Sequence, residues 1–166
     1  RDKDAVSACV ILAEIAAWAK DQGLSLYQLL QKIYVEYGFS KEKGISVVKK
    51  GKSGAEEIEA MMKKFRENPL TEIAGSKVTY FYDYSTLKGK DYAENETVTL
   101  DMPTTSNVLQ YFTEDNTKVS IRPSGTEPKI KFYCEVHSKV KSIDELPEAE
   151  KAAEEKINQI KASLGI

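Results

Sequence analysis

Between Asp4 and Lys20 a single charge, Glu14, interrupts a stretch of apolar and small residues in which Val6, Cys9, Val10, Ala13, Ala16 and Ala17 recur at helical spacing. A helix this apolar is built for cover on several sides. Gly23 ends it, and Ser25 with Gln28 forms a capping box that opens a second helix through Leu26, Leu29, Leu30, Ile33 and Tyr34 to Gly38. Two such helices alone have no sheet to cover, so residues 1–39 read as the tail of a truncated α/β domain. After Phe39 the pattern shifts to a short strand, Ile45-Ser46-Val47-Val48, flanked by Lys41, Lys43, Lys49, Lys50 and Lys52. Ser53 and Glu56 predict a second capping box, and Ile58, Met61, Met62 and Phe65 mark a helical face that stops at Asn68-Pro69.

Strand signals then dominate. Val78, Tyr80, Tyr82 and Tyr84 alternate with Thr79, Phe81 and Asp83, and the β-branched and aromatic content of 108–112, 118–122 and 130–136 predicts three more strands. The stretch 86–105 is polar and reads as irregular. Pro147 opens a last helix with Ala149, Ala152, Ala153, Ile157, Ile160 and Leu164 inward, closed by Gly165. Residues 40–166 therefore read β-α-β-β-β-β-α, an α+β fold in which an antiparallel sheet carries helices packed on one face.

Composition narrows the function classes. The chain has 166 residues with 24 Lys and Arg against 26 Asp and Glu, a net charge of −2. It lacks the broad positive field of a nucleic-acid binder, so any anion is held locally. The apolar run at 5–19 is shorter than the ~20 residues that cross a bilayer, and no cleavable signal is visible, so neither a membrane nor a nucleic acid is an expected partner. Cys9 and Cys134 stand among apolar neighbours far apart in sequence, which points away from a disulfide framework and towards a reducing, cytoplasmic setting. The opening Arg1-Asp2-Lys3-Asp4, without a starting Met, has the look of a piece of something longer.

The sharpest local feature is Arg122-Pro123-Ser124-Gly125-Thr126-Glu127-Pro128, between two predicted strands. A phosphate is held by a planar guanidinium, short hydroxyl donors and backbone N–H groups that converge without a Cβ in the way. Arg122, Ser124, Gly125 and Thr126 supply all three within five residues. Pro123 and Pro128 restrict φ at either end and reduce the entropy lost on binding. Glu127 is no phosphate donor and is cast as an acceptor steadying Arg122 or the loop backbone. On spacing alone, Pro-Ser-Gly is also ordinary hairpin chemistry.

The run from Arg122 to Tyr133, Arg-Pro-Ser-Gly-Thr-Glu-Pro-Lys-Ile-Lys-Phe-Tyr, resembles the C-terminal phosphate-binding signature of the α-D-phosphohexomutases, in particular their phosphoglucomutase branch. Pro103-Thr104-Thr105-Ser106-Asn107-Val108-Leu109 and Val119-Ser120-Ile121 are similar to the same branch, and Asp2-Lys3-Asp4-Ala5 is similar to an Asp-Lys-Asp-Gly segment that begins a helix in the family's third domain, with Ala5 in place of the usual Gly. The resemblance implies residues 1–39 as the end of domain three and 40–166 as domain four of a phosphoglucomutase or phosphomannomutase. It implies that Arg122, Ser124, Gly125 and Thr126 grip the non-transferring phosphate of a hexose phosphate, supported by Glu127, Lys129 and Lys3. The family moves a phosphoryl group between the 1- and 6-positions through an active-site phosphoserine and a bisphosphorylated sugar, assisted by Mg2+. Nothing here matches the family's serine, aspartate loop or sugar-recognition loop. The expectation is therefore no catalytic residue and no metal ligand in this chain, no activity of the chain alone, and the N-terminal domains of the same protein as partner.

A rival of another class is a nucleic-acid-binding α+β module that stacks bases on Phe81, Tyr82, Phe132 and Tyr133. Acidity and the missing glycine spacing around Lys131-Phe132-Tyr133-Cys134 speak against it. His137, the sole histidine, lacks companions at metal spacing and reads as a surface imidazole. Tyr80, Tyr82 and Tyr84 read as sheet packing, Met61 and Met62 as core, and the lysines around 41–52 as a solvated strand flank that could also attract phosphate.

Overall fold

The chain is described here by a computed structural model covering residues 3–49 and 51–166, with residue 52 described in its backbone only. It forms two compact units, one of residues 1–39 with 138–149 and the other of 40–137 with 150–166. No helix among the described residues is long and apolar enough to cross a membrane.

In the first unit, α1 (Ala5–Asp21) starts at Asp4, whose carboxylate accepts from the Ser7 N–H at 2.9 Å. It stops at Gly23, which takes φ 70° and lets the Gly23 and Leu24 N–H groups donate back to the Lys20 and Ala19 carbonyls, both at 2.9 Å. The capping box of α2 (Leu26–Tyr37) forms as its sequence predicts, with Gln28 N–H donating to Ser25 Oγ at 3.2 Å and Ser25 N–H to Gln28 Oε1 at 2.9 Å. Burial in this unit is slight: Ala19, Phe39, Val140 and Leu146 are covered, with the Tyr34 ring edge-on to Phe39 at 5.0 Å. Apolar side chains that the pattern marks for cover stand in solvent, Val6 at 77% and Val10 at 63% exposure, and so does Trp18 at 55%.

The second unit is built on one antiparallel sheet with strands β1 (Phe39–Val48), β2 (Glu72–Ile73), β3 (Ser76–Asp83), β4 (Lys88–Asp91), β5 (Glu96–Thr99), β6 (Leu109–Thr113), β7 (Lys118–Pro123) and β8 (Lys129–Ser138). Their order is β1-β8-β7-β6-β3-β4-β5, with β2 beside β3. Helices α3 (Lys52–Glu67) and α4 (Leu146–Leu164) supply Ile58, Met62, Phe65, Ala153, Ile157, Ile160 and Leu164 to a core completed by alternate sheet residues such as Leu109, Tyr111, Val119, Ile121, Ile130 and Phe132. Each fully covered Ile or Phe here contributes about 1.5–3 kcal/mol. Met61 is half-buried, leaving Met62 as the core methionine.

Four features differ from the pattern reading. The first strand is ten residues long rather than four, because it runs along β8, with Lys49 N–H donating to the Pro128 carbonyl at 2.9 Å. The Ser53–Glu56 capping box does not form: α3 starts two residues earlier, with Gly51 at φ 81° as N-cap and no side-chain cap. The chain turns so tightly there that a Cβ on Gly54 would lie 2.6 Å from the Lys49 carbonyl oxygen. The stretch 86–105 contains the β4–β5 hairpin, in which Gly89 admits the Tyr82 ring, 2.4 Å from where a Cβ would be. Finally, a bulge between Val78 and Tyr80 breaks the alternation of β3. Val78 and Phe81 thus both turn to the core, while Tyr80, Tyr82 and Tyr84 form an aromatic row on the open face at centroid spacings of 5.9 and 6.5 Å.

Candidate functional site

The hairpin joining β7 to β8 is Ser124-Gly125-Thr126-Glu127-Pro128. Its base is tied by Ser124 N–H donating to the Lys129 carbonyl at 2.8 Å and Lys129 N–H to the Glu127 carbonyl at 2.7 Å. Above that base the N–H of Thr126 reaches Ser124 Oγ only at 3.5 Å, and those of Gly125 and Glu127 have no acceptor among the described residues. Two amide donors, those of Gly125 and Glu127, are left open on an exposed loop, and the Thr126 amide between them is held only at the limit of a hydrogen bond; successive free amides are what an anion-binding nest uses. Gly125 is not at positive φ, and a Cβ added there would meet nothing within 4 Å. The glycine is thus not required by the turn, and its missing side chain leaves the neighbouring amides uncovered.

The loop forms one rim of a groove of about 880 Å³ whose floor is Ala55, Ile58 and Met62 of α3. Gly51 lines it too, so the N-terminal end of α3, with its uncapped N–H groups and partial positive charge, opens on the same space. Ser124, Gly125, Thr126 and Glu127 all border the groove, but Arg122 does not. Strand alternation explains this: Val119 and Ile121 point to the core, which puts Arg122 on the opposite face beside Lys131. Its guanidinium is exposed and has no hydrogen bond or ion pair among the described residues.

Glu127 steadies neither Arg122 nor the backbone, as its sequence position suggested, but ion-pairs with Lys129. The Lys129 hydrogen bond, with the Lys129 and Lys131 charges, holds the carboxyl below its ordinary value of 4.5. Two further residues meet at the groove: Arg66, which no motif marks, and Asn107, which lies within the run 103–109 without a role assigned to it. Arg66 in the last turn of α3 donates from Nε to Asp83 Oδ2 and from Nη2 to Asn107 Oδ1, each at 2.9 Å, and both Arg66 and Asn107 line the groove. In sequence Arg66 reads only as a helix-end cation, and its partners lie 17 and 41 residues away.

The remaining candidates are distributed as follows. Lys3 is exposed just ahead of α1 in the first unit, and Asp2 lies outside the described residues. Lys41 pairs with Glu150 at 3.0 Å, Lys43 with Glu154 at 2.5 Å and Lys49 with Glu57 at 3.1 Å, so these charges are already matched; Lys50 and the Lys52 side chain lie outside the described residues. His137 is exposed, its Nε2 at 2.8 Å from Glu135 Oε1. Phe81 and Phe132 are buried under the helices, which removes two of the four rings from any base-stacking face. Cys9 and Cys134 are both free thiols, and burial pushes Cys134 up to about 11. No three His, Cys, Asp or Glu side chains gather as a ligand set among the described residues, so Mg2+ enters no step derived from them.

Comparison with known proteins bears on this geometry. Residues 45–153 match the family model described as phosphoglucomutase/phosphomannomutase, C-terminal domain. The phosphoglucomutase of Staphylococcus haemolyticus is 36% identical over 137 residues, 82% of this chain and 25% of its own length. That of Staphylococcus saprophyticus is 32% identical over 88% of this chain and 26% of its own, and that of Staphylococcus aureus (strain MRSA252) 37% identical over 80% and 24%. Among solved structures, the exocytosis-sensitive phosphoprotein pp63/parafusin (phosphoglucomutase) of Paramecium, in its open form, aligns over 86% of this chain and 24% of its own with 17% identity and a TM-score of 0.47. The chain thus spans about a quarter of the length of the curated relatives it matches. With the family model covering most of its second unit and these relatives covering four fifths of its length or more, the chain belongs to the phosphoglucomutase/phosphomannomutase C-terminal domain family.

Proposed function

We propose that this chain is the phosphate-anchoring part of a phosphohexomutase, which moves a phosphoryl group between the 1- and 6-positions of a hexose phosphate. The observation that carries the proposal is the pair of open N–H groups at Gly125 and Glu127, with the long 3.5 Å hydrogen bond of the Thr126 N–H between them, on the rim of the groove. The non-transferring phosphate rests on these amides and on the Ser124 and Thr126 hydroxyls. Arg122, exposed and without a partner among the described residues, swings over the loop to pair with it bidentately. Pinning one end of the sugar orients the other for transfer, an effect that in favourable cases lowers a barrier by up to about 7–11 kcal/mol without any covalent role. The transfer step itself, with its serine and Mg2+, is assigned by the same proposal to the other three quarters of the relatives' length, and the hexose phosphate and those N-terminal domains are the chain's partners in the cytoplasm.

The test is a titration of the full chain with inorganic phosphate and with glucose 1-phosphate, followed by calorimetry and by amide chemical shifts. Shifts centred on 124–127 are expected. Gly125→Ala should leave the melting temperature unchanged or slightly raised, since no contact opposes the methyl group, yet weaken both ligands. Arg122→Ala should weaken binding about tenfold to a hundredfold, the value of a charge-assisted contact, and Arg122→Lys should recover part of it. Saturating ligand that leaves the 124–127 amides unmoved would refute the anchoring role.

A further inference from the structure

We infer that Arg66 is a specificity-determining residue of the groove, reading the neutral, hydroxyl-rich body of the ligand whose phosphate rests on the Ser124–Glu127 loop. This rests on the function proposed above and assigns a role to a residue outside the loop. A purely structural account would make Arg66 a latch between α3 and β3. Its surroundings go beyond a latch in three respects.

The side chain borders the same groove as the loop and is 31% exposed, so a groove ligand can touch it. It is also held in one orientation from two directions. Asp83 takes Nε, and Asn107, from the segment leading into β6, takes Nη2, each at 2.9 Å. Asp83 is itself fixed, being 6% exposed, with its other oxygen accepting from the Ser85 N–H at 3.0 Å and the Ser85 hydroxyl at 2.6 Å. The Nη1 donors remain without a partner among the described residues. A planar guanidinium locked by two acceptors, with donors to spare, is preorganised for a third.

The charge balance then selects what that third acceptor is. The Asp83 carboxylate offsets Arg66, Lys63 is 3.8 Å from Glu67, and Glu59 borders the groove without an ion pair among the described residues. Away from the loop the walls are therefore neutral to slightly acidic, which disfavours a second anion and suits hydroxyl oxygens. Ile58 and Met62 supply an apolar floor beneath them. Polar donors at one edge and an apolar floor suit the two-sided surface of a sugar ring, with hydroxyls around its rim and C–H groups on its face. At about 880 Å³ the groove falls within the roughly 300–1,000 Å³ of small-molecule sites.

The experiment compares Kd values for inorganic phosphate and glucose 1-phosphate on the full chain and on Arg66→Gln, Arg66→Lys and Asn107→Ala, each checked by thermal melting. The wild-type chain should prefer the sugar phosphate. Arg66→Gln should hold inorganic phosphate nearly unchanged while losing about tenfold for glucose 1-phosphate, the worth of a hydrogen bond to a charged group. Asn107→Ala, which frees the guanidinium to wander, should lose part of the same preference. Arg66→Lys keeps a cation beside Asp83 and so preserves the fold should Gln fail to do so; it too should lose the preference. An unchanged preference in folded Arg66→Lys and Arg66→Gln overturns the inference, and so does an equal loss of both ligands. A wild-type chain that binds phosphate but shows no preference for the sugar ester overturns this inference alone, whereas one that binds neither refutes the anchoring function on which it rests.

Discussion

Glu127 sits exposed at the tip of the loop, and its ion pair with Lys129 keeps its carboxyl below the ordinary 4.5. A carboxyl whose folded value is depressed contributes stability above its unfolded value and loses it as the pH falls through the folded one. Amide shifts at 124–129 should accordingly stay constant from neutrality down to about pH 5 and change together below the ordinary Glu value, and Glu127→Gln should abolish that acid step while leaving the loop folded. The loop itself was readable because its chemistry is contiguous: Ser124, Gly125 and Thr126 border the groove from one turn. The partner of Glu127 was not readable. Whether it turns to Arg122 or Lys129 depends on the register of β7 and β8 and on which strand face each side chain takes, and residue types alone do not fix that.

A hydrogen bond that no periodicity would reveal ties the sheet to the end of α3. Tyr111 of β6, 0% exposed, donates its hydroxyl at 2.9 Å to the carbonyl of Phe65, one of the last-turn acceptors that α3 cannot satisfy internally. Burial raises the Tyr111 hydroxyl well above its ordinary value, so it remains a donor across the accessible pH range. Tyr111→Phe should cost about 1–3 kcal/mol of stability, the penalty of an orphaned buried carbonyl, read as a lower midpoint in urea. It should also loosen the turn that carries Arg66. At this scale the sequence was most legible where apolar periodicity is strong, as in α3, α4, β7 and β8. It failed for β4 and β5, whose Lys88-Gly89-Lys90-Asp91 and Glu96-Thr97-Val98-Thr99 carry almost no apolar signal. Backbone pairing of β4 to β3 and of β5 to β4, with the space Gly89 leaves for Tyr82, makes them strands. The bulge at Thr79 was equally hidden, since perfect alternation in sequence said nothing of an extra residue in the ladder.

Across the molecule, covered and uncovered apolar surface divides between the units. The second unit buries its aliphatic residues under two helices, whereas Val6, Val10, Ile11, Leu12 and Trp18 of α1 are all more than half exposed. The periodicity of Val6 and Val10 foretold an apolar helix with no sheet beside it to cover, and both side chains stand exposed. Contiguous apolar surface of this kind drives association. Sedimentation should show the chain forming larger species as its concentration rises, with the effect strengthening on warming from the cold. Val6→Lys with Val10→Lys should suppress it without lowering the melting temperature, as neither side chain is buried. Trp18 is the only tryptophan, so a concentration-dependent blue shift of its emission would report the same event.

A cradle made of peptide amides and hydroxyls has no proton of its own to gain or lose near neutrality. Its response to acidity is therefore delegated to the guest. A phosphate monoester passes from two negative charges to one around pH 6, so affinity should slacken there in step with the ligand's own ionisation, while a phosphonate of different acidity should shift the profile by the difference. Under the proposed function the loop would thus act as a charge gauge calibrated by whatever it holds.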